Sequence, residues 1–214
     1  MENEVLSSML ANYPQLEGCR DAINAAYEIL ADCYDNGGTV FTCGNGGSCA
    51  DADHITGELL KGFCRKRPLS PELKDALTEA DPEFGDFIGQ RLQTGLSAVS
   101  LMNFPGAGSA VANDLDGLLG PAQILGAMAK KGGHDVLLGL STSGNARNIR
   151  YAVAVAKALG MKIIGFTGEG GGYLGAHSDA AIKVPSKETY RIQEYHLPIY
   201  HALCKMIENR YFAE

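Results

Sequence analysis

The chain has 214 residues, 45% of them hydrophobic and 20% charged, which suits one α/β domain with a substantial core and argues against extensive disorder. A net charge of −7 removes the usual electrostatic basis for nucleic-acid binding, and the one basic cluster, Arg65-Lys66-Arg67, reads as a solvated helix end. The acidic start has no cationic leader and no apolar run approaches the ~18 residues of a membrane span, so a cytoplasmic protein without membrane partners is expected.

Residues 1–36 carry apolar side chains at helical spacing (Ile23, Ala26, Tyr27, Leu30, Tyr34), with Pro14 and Gly18 interrupting the earlier part. A strand, Thr39 to Cys43, then runs into Gly44-Asn45-Gly46-Gly47-Ser48, and a helix begins near Ser48. Glycines at 44, 46 and 47 leave backbone N–H groups uncovered at a helix's positive end, where a phosphate is held well; the alternative is a plain strand-to-helix turn. Residues 69–95, rich in proline, glycine and acidic side chains around a short helix at 71–80, read as an inserted surface segment, a helix plus loop that narrows the mouth of the site. Strand two spans 97–102, and a glycine-rich connection through Asn113-Asp114 leads to a helix at 121–131. Strand three, Val136 to Leu140, opens into Ser141-Thr142-Ser143-Gly144-Asn145 and a helix ending near Gly160. Strands four and five lie at 162–166 and 180–184, and a last helix spans 188–211.

This alternation predicts an α/β fold: a doubly wound, five-stranded parallel sheet of order 2-1-3-4-5 with additional amino- and carboxyl-terminal helices, all in one domain of residues 1–214. In that order strands one and three are neighbours at the topological switch point, so both loops open side by side at their carboxyl ends. The six cysteines form no CxxC pair and read as reduced thiols; Cys49, beside the glycine loop, is the one whose pKa a helix terminus could lower.

His54 and Glu58, four apart, share a helix face with Asp51 on nearly the same stripe, and Gln193 and His201 lie on one side of the last helix. Together they offer four N and O donors for a borderline metal such as zinc; separately, each pair suits an ordinary surface contact. His134 and His177 read as surface residues without such partners, and His196 as structural.

The motifs GNGGS (44–48), D-A-x-H-x-x-x-E (51–58), N-D (113–114), STSGN (141–145) and R-I-Q-E-x-H with a later histidine (191–201) resemble those of the sugar isomerase (SIS) domain family and, within it, of the phosphoheptose isomerases. The resemblance covers about residues 20–65 and 97–211. It implies the SIS fold, a substrate site at Asn45, Gly46, Gly47, Ser48, Glu58, Asn113, Asp114, Ser141, Thr142, Ser143 and Gln193, and zinc on His54, Glu58, Gln193 and His201. It further implies an acid-base pair, Glu58 and His201, and a homotetramer with sites at subunit boundaries. The reaction implied is aldose-ketose isomerisation of sedoheptulose 7-phosphate to D-glycero-D-manno-heptose 7-phosphate through an enediol(ate), assisted by metal. A non-catalytic phosphosugar-binding regulator of the same fold, or an isomerase or lyase for another sugar phosphate, stays open. Three departures bear on the sugar rather than the chemistry: Ala146 stands where many relatives have serine, Lys61-Gly62 where an arginine is common, and residues 69–95 are inserted.

Overall fold

The computed structural model describes residues 3–212. The chain begins with helices α1 (Glu4–Asn12) and α2 (Arg20–Asp35), joined by a 3₁₀ turn at Pro14–Cys19 where proline and Gly18 interrupt the helical pattern. Strand β1 (Val40–Cys43) feeds α3 (Gly47–Leu60), followed by a two-helix hairpin, α4 (Pro71–Ala80) and α5 (Gly85–Arg91). Then come β2 (Ala98–Ser100), α6 (Pro105–Asp114), α7 (Gly120–Met128) and β3 (Val136–Leu140). The chain continues through α8 (Arg147–Leu159), β4 (Lys162–Gly168), α9 (Gly172–His177), β5 (Ala180–Val184) and α10 (Thr189–Tyr211). Helices α5, α6 and α9 stand where the sequence reading has only loops. All three are short, and glycines (85 and 89, 106 and 108, 172 and 175) dilute their helical signal, so tertiary context rather than propensity forms them.

The five strands form one parallel sheet in the order β2-β1-β3-β4-β5, as predicted. Alternation sorts each strand between two cores. Val40, Leu138 and Leu140 face the layer of α1, α2, α3 and α10, whereas Phe41, Cys43 and Leu137 face Ile124, Leu125, Ile149, Val153 and Leu174 from α7, α8 and α9. Thr42 is fully buried, and its hydroxyl bonds the Ala52 carbonyl (3.0 Å) and the Thr56 hydroxyl (2.9 Å), which fixes the rotation of α3 over β1. His196 is also buried, its Nε2–H donating to the Thr167 carbonyl (3.3 Å) and its ring edge-on to Phe166, consistent with a structural role. No helix among the described residues is long and apolar enough to cross a membrane.

Helices α3 and α10 run side by side in the same direction. Gly47 meets Gln193, His54 meets Tyr200 and His201, and the residues just past α3 meet Glu208. The far end of this pair is closed by an ion pair between Arg67 and Glu208, whose side chains are both 0% exposed. Arg67 also donates to the carbonyls of Glu58 (3.1 Å) and Leu59 (2.8 Å), and Glu208 accepts the backbone N–H groups of Phe63 (2.8 Å) and Cys64 (2.7 Å). Arg67 is therefore no solvated helix end: the chain folds back after α3, and the last-turn carbonyls left without helical partners take up its guanidinium. Burial alone would raise the Glu208 pKa, but the two N–H donors and Arg67 outweigh it and hold the carboxyl below its ordinary value. That stability is present above the ordinary carboxylate range and is lost as pH falls through the lower folded value. Burial, opposed only by the hydrogen bond to Thr167, likewise pushes His196 down to about 4, so stability declines as pH falls below about 6.5, where the unfolded imidazole takes a proton first.

Urea unfolding checks this reading. Glu208→Ala, which strands a buried guanidinium, is expected to lose about 3–5 kcal/mol at pH 7, and the double change Arg67→Met with Glu208→Leu less than that single change.

Candidate active site

Because β1 pairs with β3, the loops that follow them emerge together at the carboxyl edge of the sheet. They enclose a cavity of about 360 Å³ lined by Asn45, Gly46, Gly47, Ser48, Ser141, Thr142 and Ser143, with Ala146, Thr189 and Gln193 completing the wall. Two glycines are demanded by contact. A Cβ on Gly47 would lie 2.7 Å from Gln193 Nε2, and Gly144, at φ +68°, sits directly against the Gly171 carbonyl. Asn45 and Asn148 exchange side-chain amide hydrogen bonds of 2.9 and 2.8 Å and so tie the β1 loop to the first turn of α8. With α3 and α8 both starting at this rim, their N-terminal N–H groups and the three hydroxyls of 141–143 suit an anion.

The second cluster lies two turns further along α3. His54 Nε2 is 3.2 Å from Glu58 Oε1, and the rings of His54 and His201 meet edge to face at 5.0 Å. His201 Nε2 is buried with no hydrogen-bond partner. Burial first, and the neighbouring His54 second, hold His201 below its ordinary pKa, while Glu58 acts the other way. Lys61 Nζ reaches Glu58 Oε2 at 3.4 Å, so a cation still stands beside this carboxylate although Gly62 brings no side chain. Behind His54, Tyr200 bonds both His54 Nδ1 (3.0 Å) and Asp51 Oδ1 (3.2 Å); burial pushes the Asp51 carboxyl and the Tyr200 hydroxyl above their ordinary values.

Of the four residues read as metal ligands, His54, Glu58 and His201 come together, whereas Gln193 lies eight residues before His201, about 12 Å along the helix at 1.5 Å per residue, and belongs to the loop cavity. Among the described residues no three His, Cys, Asp or Glu side chains form a ready-made metal cage. Two features nonetheless suit a divalent cation at the cluster: the unpartnered Nε2 of His201, and the Nε2 of His54 facing a carboxylate oxygen.

Asn113 and Asp114 bond each other (Nδ2 to Oδ1, 2.7 Å) at the exposed end of α6 and line no part of the loop cavity. The α4–α5 hairpin does not line it either. Its ends are pinned at the foot of α3 by Thr94 N–H to the Arg67 carbonyl (2.7 Å) and Gly62 N–H to Gln93 Oε1 (2.9 Å), and Leu73, Phe84, Phe87 and Leu92 are exposed. The segment is thus two helices rooted at the foot of α3 rather than a helix plus loop, and none of its residues lines the loop cavity. Burial, with Asp53 nearby, raises the Cys49 thiol's pKa rather than lowering it. His134 does have a partner, Asp32 at 3.0 Å. Thr189, Asn148 and Tyr200 escaped the sequence reading because each meets the site only through long-range packing. The one local signal was Thr189, a hydroxyl one turn before Gln193 on the same helix face.

The sequence pattern of the SIS domain matches residues 7–83 and 76–168. Over 213 positions the chain is 35% identical to a phosphoheptose isomerase of Helicobacter pylori, an alignment that spans 100% of this chain and 96% of that one. Its fold is similar to the phosphoheptose isomerase of Francisella tularensis (TM-score 0.73, 30% identity, 95% and 93% of the two chains). It is also similar to phosphoheptose isomerase GmhA of Neisseria gonorrhoeae (TM-score 0.70, 28% identity, 94% of each).

If the loop cavity holds an anion, Ser141→Ala and Thr189→Val should each weaken inorganic phosphate binding about tenfold or more, the loss expected for a hydrogen bond to a charged group. Asn113→Ala, outside the cavity, should leave it unchanged; isothermal calorimetry reads all three.

Proposed function

From the premise that this chain belongs to the SIS domain family, and within it to the phosphoheptose isomerases, we propose that it interconverts sedoheptulose 7-phosphate and D-glycero-D-manno-heptose 7-phosphate. The observation that carries this reading is the placement of the anion-type cavity and the Glu58–His201 pair on one seam, between α3 and α10. Gly47 and His54 are about 10 Å apart along α3. With bonds of about 1.5 Å between carbons, an open seven-carbon chain places its reacting end roughly 8–10 Å from its terminal phosphate.

In this reading the glycine loop, Ser48, Ser141, Thr142, Ser143 and Thr189 hold the phosphate, and Gln193 orients the sugar where it leaves the cavity. Ala146 lines the same wall, so the hydroxyl absent there has a neighbour in Thr189. Asn113 and Asp114 contact the sugar only if an assembly or a movement of α6 brings them to it. Glu58 takes the proton from the hydroxyl-bearing carbon beside the carbonyl, giving an enediol(ate); His201 delivers a proton to the former carbonyl carbon, and the hydroxyl proton passes to the former carbonyl oxygen, so the carbonyl has moved by one carbon. Burial holds His201 toward its neutral form, and its Nε2 has no hydrogen-bond partner in the chain. Lys61 keeps a positive charge near the carboxylate that must stay ionised to act as a base.

His54, Glu58 and His201 would hold a divalent metal, zinc by the nature of the donors, with Gln193 outside their reach in a single chain. Such an ion supplies Lewis-acid stabilisation of negative charge on a substrate oxygen.

We also propose a cytoplasmic homotetramer. Leu60, Tyr190 and Leu197 expose 49%, 57% and 41% of their surface on the two helices that carry the site, which supports burial of this face against another copy.

Glu58→Gln is expected to lower turnover at least roughly 10²-fold while sugar phosphate affinity stays within about tenfold. Solvent deuterium incorporation into the sugar reads the proton transfer, and undiminished exchange in the variant removes Glu58 from the mechanism. Light scattering at micromolar concentration should give four times the chain mass; a monomer contradicts the assembly.

A further inference from the structure

Tyr200 is 1% exposed, yet its hydroxyl is placed between two polar partners rather than in an apolar socket. It donates to Asp51 Oδ1 at 3.2 Å and lies 3.0 Å from His54 Nδ1. A phenol has one proton, and a carboxylate only accepts. Once that proton is committed to Asp51, the phenol oxygen can only accept from His54, which puts the imidazole proton on Nδ1. A neutral ring has one N–H, so Nε2 is left with its lone pair. That lone pair points at Glu58 Oε1, 3.2 Å away, and the neighbouring His201 presents a second unpartnered nitrogen. Two acceptors held this close repel unless a proton or a metal cation lies between them.

We propose that Asp51 and Tyr200 are positioning residues, a half-buried relay that locks His54 as its Nδ1–H tautomer and so presents a bare Nε2 to a divalent cation shared with Glu58 and His201. This rests on the reading of His54 as a ligand, but the relay itself is a property of the metal-free chain. The chain Asp51–Tyr200–His54 orients the ring from behind, as outer partners of ligating histidines do. Both elements are needed, since Asp51 comes from the first turns of α3 and Tyr200 from the middle of α10. Packing of the two helices therefore sets the proton's position as well as the ring's.

The test is a two-bond ¹H–¹⁵N spectrum of metal-free protein carrying ¹⁵N-histidine at pH 8, with His54 assigned through His54→Gln. The wild type should show the Nδ1–H form. Tyr200→Phe should relax it toward the Nε2–H form, and Asp51→Leu should do so more completely, because the freed phenol proton then turns to His54 Nδ1. A wild-type Nε2–H ring, or a tautomer unmoved by Tyr200→Phe in a protein whose circular dichroism is native, overturns the relay. Competition with a chromophoric chelator for zinc gives the second readout, a loss of about 10–100-fold in affinity for Tyr200→Phe. Unchanged affinity in that variant also overturns the proposal. Failure of the wild type to take up zinc instead removes the metal from the proposed function, and the tautomer then decides the relay alone.

Discussion

The buried pair Arg67–Glu208 is the contact on which the site's geometry depends. Taking two charges out of water costs several kcal/mol per ion unless the surroundings answer them, and here both are answered several times over. The guanidinium meets Glu208 and the carbonyls of Glu58 and Leu59, and the carboxylate meets two further backbone N–H groups. One side chain thus closes the carboxyl end of α3, turns the chain back, and fixes where α10 passes. Glu58, whose carbonyl is among the partners of Arg67, cannot shift without disturbing a desolvated charge.

From that closed end the two helices run forward in step to the rim of the sheet, and the site divides along them. At the rim the parallel pairing of β1 with β3 brings a glycine loop and a hydroxyl loop together, a place suited to holding an anion by backbone and hydroxyl groups. Two turns away, titratable side chains gather against buried Tyr200 and half-buried Asp51. In the proposed function, binding and proton transfer would therefore be carried by different chemistry on one pair of helices, and a change to the cavity wall, as at Ala146, would leave the proposed acid-base pair untouched.

The hairpin α4–α5 makes the same point from the other direction. It is rooted at Gly62, Arg67 and Pro68, within a turn or two of Glu58, yet none of its residues lines the loop cavity, and its aromatic side chains are exposed. Nearness in sequence to the acidic residue said where the segment is anchored. It did not say whether the segment reaches the cavity, because that depends on how α4 packs on α5 and on the two hydrogen bonds at its base.

Much of this protein follows from its sequence alone. Apolar runs alternating with helical periodicity give a parallel sheet, the glycines and hydroxyls after the first and third strands mark the loops that line one cavity, and the four-residue spacing of His54 and Glu58 puts them on one face whatever surrounds them. Periodicity settles which residues share a face, but it carries nothing about the partner that face meets or the register between them. That register places Gln193 against Gly47 and His201 against His54, although both lie on one side of one helix. It also buries Arg67, which by composition belongs in water, and brings in Thr189, Asn148 and Tyr200, the last two across contacts of a hundred residues or more. Such contacts depend on shape and on the matching of buried charges, which the folded chain decides and local pattern does not.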